Sequence, residues 1–374
     1  VVDVGVVPTP AVAFLTESTG ADLGVMISAS HNSMPDNGIK FFARGGHKLA
    51  DEIEDAIEAH METSGELPVG AAVGRIRTDL NLVEKYVEHV LTSISESLSG
   101  ITIVVDSANG AASVVGPEIY RRAGAQVITI HSEPDGYNIN EDCGSTHMED
   151  LMKAVVEYGA DLGIAHDGDA DRCLAVDANG ELVDGDQILA ILAAGRKQRG
   201  LLVDNTVVAT VMSNLGFTLA MKAAQIDVIA TAVGDRYVLE AMRDQGLNLG
   251  GEQSGHVVLA DFATTGDGVL TALQIMAEMK HSGKSLAELA SIVTRLPQVL
   301  INVKDVDKAA TNVQALVEAI SEAEQTLGET GRVLLRPSGT EPVIRVMVEA
   351  ATEQQAQDTA QHLAALVQKH CALD

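Results

Sequence analysis

Leu162-Gly163-Ile164-Ala165-His166-Asp167-Gly168-Asp169-Ala170-Asp171-Arg172-Cys173-Leu174-Ala175-Val176 is the stretch from which the fold reads outward. Two short apolar runs flank an acidic loop. Runs that are apolar without alternation mark strands covered on both faces. Upstream lie two more strand-like runs, 101–105 and 127–130, with helical patterns at 114–123 and 148–158. Downstream, 187–197 is helical again. Strands alternating with helices predict a mostly parallel sheet carrying the acidic loop at one end.

The same reading extends in both directions. Residues 23–28 form a short strand candidate, and 51–61 is helical, with Ile53, Ala56 and Ile57 on one face. A helix over 81–97 ends before Ser99-Gly100, a boundary. After Gly200, strands at 206–209 and 228–230 precede helices at 236–245 and 269–280. Leu296-Pro297 marks the next boundary. The last segment has strands at 299–303, 332–336 and 344–349, flanked by helices at 308–325 and 353–371, an α+β pattern. The expected architecture is three consecutive mixed-sheet α/β domains plus a C-terminal α+β domain. Their bounds are 1–98, 99–198, 199–297 and 298–374. Val1-Val2-Asp3-Val4-Gly5-Val6-Val7 reads as a buried strand from its first residue, which implies that further residues precede it in the native protein.

With 374 residues the chain is too long for one core. Hydrophobic residues make up 46% and aromatics 3%, without Trp, so the cores must be built from Val, Ile, Leu, Ala and Met. The formal net charge of −28 disfavours nucleic acid and anionic membrane surfaces as partners. A phosphorylated substrate would need local islands of Arg, Lys and metal. Cys143, Cys173 and Cys371 are scattered and match no disulfide or zinc spacing. With no signal peptide and no apolar run of membrane-spanning length, a reducing cytoplasm is the expected compartment.

Four motifs carry chemistry. In Ser28-Ala29-Ser30-His31-Asn32, followed by Asp36-Asn37-Gly38-Ile39-Lys40, a strand runs into small polar residues. Ser30 offers a hydroxyl nucleophile beside His31, and Lys40 could neutralise an attached phosphate. Taken alone, Ser-His is far more often a polar turn. Asp167, Asp169 and Asp171 place three carboxylates at alternate positions of one loop, which costs energy unless a cation neutralises them. Oxygen-only ligands suit Mg²⁺. An EF-hand would need Gly in place of Arg172 and Glu in place of Ala178, and a solvated acidic turn is the plain alternative. Gly250-Gly251-Glu252-Gln253-Ser254-Gly255-His256 can approach a ligand closely, with Glu252 and Ser254 as partners for sugar hydroxyls, or can be an ordinary turn. Arg336-Pro337-Ser338-Gly339-Thr340-Glu341-Pro342, with Arg345 beyond, combines hydroxyls, a Gly turn and two arginines as a phosphate clamp, or is a rigid strand connection. His281-Ser282-Gly283-Lys284-Ser285 resembles the end of a P-loop, but Glu278 stands where its first Gly must be. His47, His60, His89 and His370 are isolated and expected at the surface.

Taken together and in this order, the four motifs resemble the α-D-phosphohexomutase family, over essentially the whole chain. Asp36 to Phe42, Val183-Asp184-Gly185-Asp186-Gln187-Ile188, Gly251 to His256 and Arg336 to Pro342 are similar to the bacterial branch that acts on glucosamine phosphate. The resemblance implies four domains around a central cleft. The implied reaction converts glucosamine 6-phosphate to glucosamine 1-phosphate, a step toward UDP-N-acetylglucosamine and the cell wall. Glucosamine 1,6-bisphosphate would be both intermediate and activator. By the resemblance, Ser30 is phosphorylated and donates its phosphoryl group, and Asp167, Asp169 and Asp171 bind Mg²⁺ with an oxygen of phosphorylated Ser30 completing the site. It further implies that His31 and Lys40 assist proton transfer or balance charge, and that Arg172 and His256 lie near the transferring group. Glu252 and Ser254 would hold sugar hydroxyls; Arg336, Ser338, Gly339, Thr340 and Arg345 would hold the other phosphate. A homodimer is compatible with the resemblance. Two departures stand out: Ser33 replaces the usual Pro, and an N-terminal Gly-Thr-Asp-Gly-Ile-Arg-Gly motif is absent, so part of the first core is expected to be uncovered. The competing readings are a mannose or glucose phosphate mutase of the same fold, a phosphatase with Asp167 as nucleophile, and a sugar-phosphate-binding remnant without turnover.

Overall fold

The computed structural model describes residues 1–61, 65, 67–307, 313–337 and 342–373. The chain opens with β1 (Val2–Asp3), α1 (Thr9–Ser18), β2 (Leu23–Ile27), β3 (Ile39–Ala43), α2 (Asp51–Met61), β4 (Arg77–Thr78) and α3 (Leu82–Leu91). Then come β5 (Thr102–Asp106), α4 (Ala112–Arg122), β6 (Gln126–Ile130), α5 (Glu149–Tyr158), β7 (Leu162–Ala165), β8 (Leu174–Asp177), β9 (Leu182–Val183) and α6 (Gly185–Gln198). Next are β10 (Thr206–Thr210), α7 (Leu215–Ala223), β11 (Asp227–Thr231), α8 (Asp235–Gln245), β12 (Leu249–Gly251), β13 (Val257–Leu259), α9 (Gly268–Ser282) and α10 (Leu286–Ala290). The last elements are β14 (Gln298–Lys304), α11 (Gln314–Leu327), β15 (Arg332–Pro337), β16 (Val343–Glu349) and α12 (Glu353–Cys371).

The chain divides into two compact units. The first comprises Val1–Met212 and Ala224–Ile292. Its five-stranded sheet has the order β6-β5-β7-β8-β9. The β6-β5-β7 pairs are parallel, and β8 turns antiparallel against β7. All four residues of β7 are buried, as its unbroken apolar reading requires. One face of this sheet packs on Leu151, Ala154 and Val155 of α5. A second sheet, β11-β10-β12-β13, is also mixed and packs on Val238, Leu239 and Met242 of α8. Helix α6 starts where the sequence provides a capping box: the Asp184 side chain accepts from Gln187 N, and the Gln187 side chain accepts from Asp184 N. The P-loop-like stretch is a helix stop followed by a start. Gly283 ends α9 in the left-handed region at φ 68°, and Ser285 caps α10.

The N-terminal segment departs from its reading. Val1 and Val6 are exposed and only Val7 of the run is buried, because β1 is two residues long and pairs with β4 alone. Helix α1, unforeseen in the sequence, follows with a proline in its first turn. Strands β2 and β3 form a two-stranded antiparallel pair in which Leu23, Val25 and Ile27 are exposed. Helix α3 ends at Leu91 rather than Ser97. His89 is half-buried rather than isolated at the surface: its ring stacks on Phe14 at 4.3 Å and its Nε2 lies 2.7 Å from Phe262 O.

The second unit comprises Ser213–Ala223 and Val293–Asp374. Its antiparallel sheet, β14-β16-β15, is covered by α11 and α12. Ala356, Ala360, Leu363, Val367 and Cys371 form the buried stripe of α12, at the spacing of one helix face. Glu349, fully buried at the end of β16, accepts from Arg332 Nε at 2.7 Å, Asn214 Nδ2 at 3.1 Å and Leu215 N at 3.0 Å. A charge-paired carboxylate thus satisfies the N-terminus of α7. The expected helix over 308–325 appears as α11, and residues 308–312 lie outside the described set.

Candidate active site

The acidic loop crosses from β7 to its antiparallel neighbour β8, at the strand end where such sheets present ligands. Asp167, Asp169 and Asp171 are all buried, with carboxylate oxygens within 4.8 Å of one another. Alternation along the loop brings the three side chains together, and a fully buried histidine ties the loop's ends. His166 Nδ1 pairs with Arg172 O at 3.0 Å, and its Nε2 meets Tyr120 Oη at 2.8 Å. Burial lowers the His166 pKa to about 4, so the ring is neutral and both nitrogens are used.

The serine loop follows β2. Ser30 is half-buried, has φ 53°, and its Oγ donates to Asp167 Oδ2 at 2.8 Å. His31 Nδ1 stands 3.4 Å from Ser30 Oγ. Burial and the Arg172 charge push the His31 pKa down. Lys40, on β3 directly across from Met26, donates to Asp169 Oδ2 at 2.6 Å and Asp171 Oδ2 at 3.0 Å. Burial opposes its charge, but Asp171 and Asp169 outweigh that and raise its pKa above the ordinary lysine value. Arg172 Nε lies 3.8 Å from Asp167 Oδ2 and 3.9 Å from Asp171 Oδ1.

The glycine-rich loop between β12 and β13 joins the same cluster. His256 is buried, with Nδ1 3.7 Å from Asp171 Oδ1 and Nε2 3.5 Å from Asp235 Oδ2. Gly266 N donates to His256 Nε2 at 3.1 Å, which leaves the proton on Nδ1, facing Asp171. Glu252 accepts from Gly234 N at 3.1 Å through Oε1, while Ser254 is exposed. Cys173 N donates to Gly255 O at 3.0 Å, lacing this loop to the acidic one. Ser30, His31, Lys40, Asp167, Asp169, Asp171, Arg172 and His256 are therefore one constellation, with Glu252 on the adjoining loop.

In the second unit, Arg336 and Arg345 are direct cross-strand partners on β15 and β16. Like charges placed opposite each other are unfavourable unless an anion joins them. Ser338, Gly339 and Thr340 lie outside the described residues.

Four contributors escaped the sequence reading. Thr9 Oγ1 donates to Asp169 Oδ2 at 2.6 Å, and Thr9 N to Asp169 O at 2.9 Å. His166 bridges Arg172 O and Tyr120 Oη. Asp235 pairs with Lys48 and sits beside His256. Asn140 bonds the serine loop. Only His166, contiguous with Asp167, carried a signal that sequence alone could have used.

The acidic loop fits a cation. Asp169 Oδ1 and Asp171 Oδ1 are buried without a hydrogen-bond partner. Burial, with Asp171 and Asp169 beside it, pushes the Asp167 carboxyl well above the ordinary carboxylate range. For Asp171 burial acts the same way, but His256 and Lys40 hold it well below that range. Three buried carboxylates facing one ammonium and, at 3.8 and 3.9 Å, one guanidinium still leave open lone pairs, the donor set a hard divalent cation takes.

Comparison with known proteins agrees with this arrangement. The chain matches phosphoglucomutase/phosphomannomutase alpha/beta/alpha domain I over residues 1–67, domain II over 84–180, domain III over 184–296 and the C-terminal domain over 300–366. It is 60% identical over 370 residues to a phosphoglucosamine mutase of Rhodococcus jostii, covering 98% of this chain and 83% of that protein. Against the phosphoglucosamine mutase of Corynebacterium aurimucosum identity is 62%, with the same coverage. Among solved structures, a phosphoglucomutase/phosphomannomutase family protein from Burkholderia thailandensis superposes with TM-score 0.80 at 22% identity, over 100% of this chain and 84% of that one. An Aspergillus fumigatus N-acetylphosphoglucosamine mutase, solved with GlcNAc-6P and magnesium, gives TM-score 0.74 at 20% identity, over 97% and 93%. With the shared fold, the domain order and the level of identity in hand, the chain belongs to the phosphoglucomutase/phosphomannomutase family, among its phosphoglucosamine mutases.

Proposed function

We propose that the chain interconverts glucosamine 6-phosphate and glucosamine 1-phosphate, with Ser30 carrying the phosphoryl group and glucosamine 1,6-bisphosphate as intermediate. The observation that carries the reading is the 2.8 Å contact of Ser30 Oγ with Asp167, in a cluster of three buried carboxylates. The relatives' names supply the sugar, and the A. fumigatus enzyme's complexes with GlcNAc-6P and with glucose 1,6-bisphosphate support a hexosamine phosphate and a bisphosphate as ligands.

Each side chain then has a task. Phosphorylated Ser30 gives its phosphoryl group to the free hydroxyl of the sugar monophosphate, forming the bisphosphate. Ser30 Oγ then attacks the phosphorus at the opposite end, releasing the isomeric monophosphate and restoring the phosphorylated serine. His31, neutral because its pKa is lowered, accepts the Ser30 proton as the new O–P bond forms and gives it back as that bond breaks. Against the effect of burial, Asp171 and Asp169 raise the Lys40 pKa, which suits it to balancing charge rather than moving protons. Arg172 and His256 face the transferring group. Glu252 and Ser254 hold sugar hydroxyls. Arg336 and Arg345, with Ser338, Gly339 and Thr340, hold the phosphate that is not reacting, whichever end it occupies. Such in-line transfer depends on positioning and charge stabilisation. Asp167, Asp169, Asp171 and an oxygen of Ser30 would hold Mg²⁺, which when bound supplies positive charge to the transferring phosphoryl oxygens.

The test is steady-state turnover of glucosamine, glucose and mannose phosphates with bisphosphate activator, together with the intact mass of the wild-type and Ser30→Ala proteins. Glucosamine phosphate should have the highest kcat/KM, and a phosphate adduct should appear only when Ser30 is present. Phosphate release that survives Ser30→Ala would replace this reading with Asp167 as nucleophile.

A further inference from the structure

The segment between β6 and α5 supplies none of the residues assigned above, yet one of its side chains grips the nucleophile's loop. Asn140 is buried, and its Nδ2 donates to Ser30 O at 2.9 Å and to Asn32 O at 2.8 Å. Only the nitrogen end of an amide can serve two carbonyls, so the orientation of this side chain is dictated. The two carbonyls lie on either side of His31. The grip therefore spans the turn that presents both Ser30 Oγ and the imidazole next to it.

That turn needs holding. Ser30 sits in the left-handed region at φ 53°, which non-glycine residues hold only when their surroundings over-determine it. Asn140 is itself anchored: its backbone N donates to Ala108 O at 3.0 Å. Behind it, Asp106 accepts from Ala108 N at 2.9 Å, Gly144 N at 3.0 Å and His131 Nδ1 at 2.8 Å. The acidic loop closes against the same point. A Cβ on Gly168 would lie 2.6 Å from both Asn140 Nδ2 and Ser30 O, so only glycine fits between Asp167 and Asp169. Serine carbonyl, Asn140 amide and acidic loop form one close-packed contact.

We infer that Asn140 is a positioning residue for phosphoryl transfer: it holds the Ser30 turn so that Oγ stays aimed at the acidic loop in both half-reactions. The inference rests on the reading of Ser30 as the phosphoryl carrier. Without the amide, two carbonyls lose their donor and the turn is free to leave the left-handed region. Alignment of Oγ then fails while the groups assigned to sugar and distal phosphate remain.

The experiment compares Asn140→Ala, Asn140→Gly and Asn138→Ala in the full chain. Glycine keeps the left-handed backbone at position 140, where φ is 56°, so it removes the amide without backbone strain and serves should the alanine variant not fold. Asn138 is the control. Its side chain bonds Glu133 O at 3.0 Å and Asp135 N at 3.0 Å within its own loop. Expected for both Asn140 variants is a loss of kcat of about tenfold or more with KM within about twofold, and faster amide exchange over residues 28–38. Asn138→Ala should leave both near wild type. Asn140 variants that keep kcat and exchange unchanged, or an Asn138→Ala that reproduces both effects, would overturn the inference. An inactive wild type would sink the functional reading alone, since the exchange contrast would still decide whether Asn140 holds the turn.

Discussion

Two clusters at the ends of neighbouring strands of the five-stranded sheet gather metal-ligating atoms equally closely and differ in what their oxygens already do. Asp106, His131 and Cys143 bring ligand atoms within 4.8 Å of one another, as Asp167, Asp169 and Asp171 do. Asp106, however, is fully engaged by two backbone N–H groups and an imidazole. Burial and the nearby Asp106 charge push the Cys143 thiol up to about 12, so it keeps its proton and is a poor ligand. The acidic loop instead retains two buried oxygens with no hydrogen-bond partner. Proximity of metal-ligating atoms does not make a cation site; unmet charge does. The first cluster is a clasp that shapes a loop, the second a receptacle.

The sharpest way to break this comparison is Asp169→Asn, expected to lower turnover at least about 100-fold and to weaken Mg²⁺ binding measured by calorimetry. The Asp106→Asn protein should bind Mg²⁺ as wild type does, and equal losses of affinity in the two variants would erase the distinction. Next in size is Lys40→Met, which removes the ammonium from Asp169 and Asp171. Turnover should fall by about 10- to 100-fold while Mg²⁺ affinity holds or rises, because a competing positive charge is gone. Weaker Mg²⁺ binding in that variant would mean that Lys40 supports the site rather than balancing it.

The clasp makes a smaller, structural prediction. An amide at position 106 cannot accept from Ala108, Gly144 and His131 with the strength of a buried carboxylate. Asp106→Asn should therefore cost about 2 kcal/mol of stability in urea unfolding. The smallest effect is a pH dependence. The hydrogen bond to Asp106 raises the His131 pKa above its ordinary value, against some opposition from burial. Its contribution is then fully present below the unfolded value of about 6.5 and fades as pH rises through the folded one. His131→Asn, which tolerates the left-handed φ of 46° at this position, should thus destabilise more at low than at high pH. A stability difference flat with pH would show that the pair is not ionic.

The lacing of the site explains why some of it was readable and some was not. Ser30, Lys40 and the three aspartates announced themselves because each stands in a short local pattern: a hydroxyl at a strand end, a cation a few residues beyond it, alternating anions between two buried strands. Asn140 and Thr9 had no such pattern. They lie 110 residues from Ser30 and 160 residues from Asp169, and nothing around an isolated Asn or Thr encodes a partner so distant. The opening valines failed for a related reason. Apolar composition predicted burial, but a two-residue strand with one neighbour has no sheet face to bury it.

By itself the sequence determined the alternation of strands and helices, the capping of α6, and the concentration of negative charge in one loop. Each of these depends on residues a few positions apart. Tertiary structure alone decided which polar groups are left without partners and which loops touch. Those are properties of packing, where the free energy of a buried charge depends on every neighbour brought to it and on water being kept away.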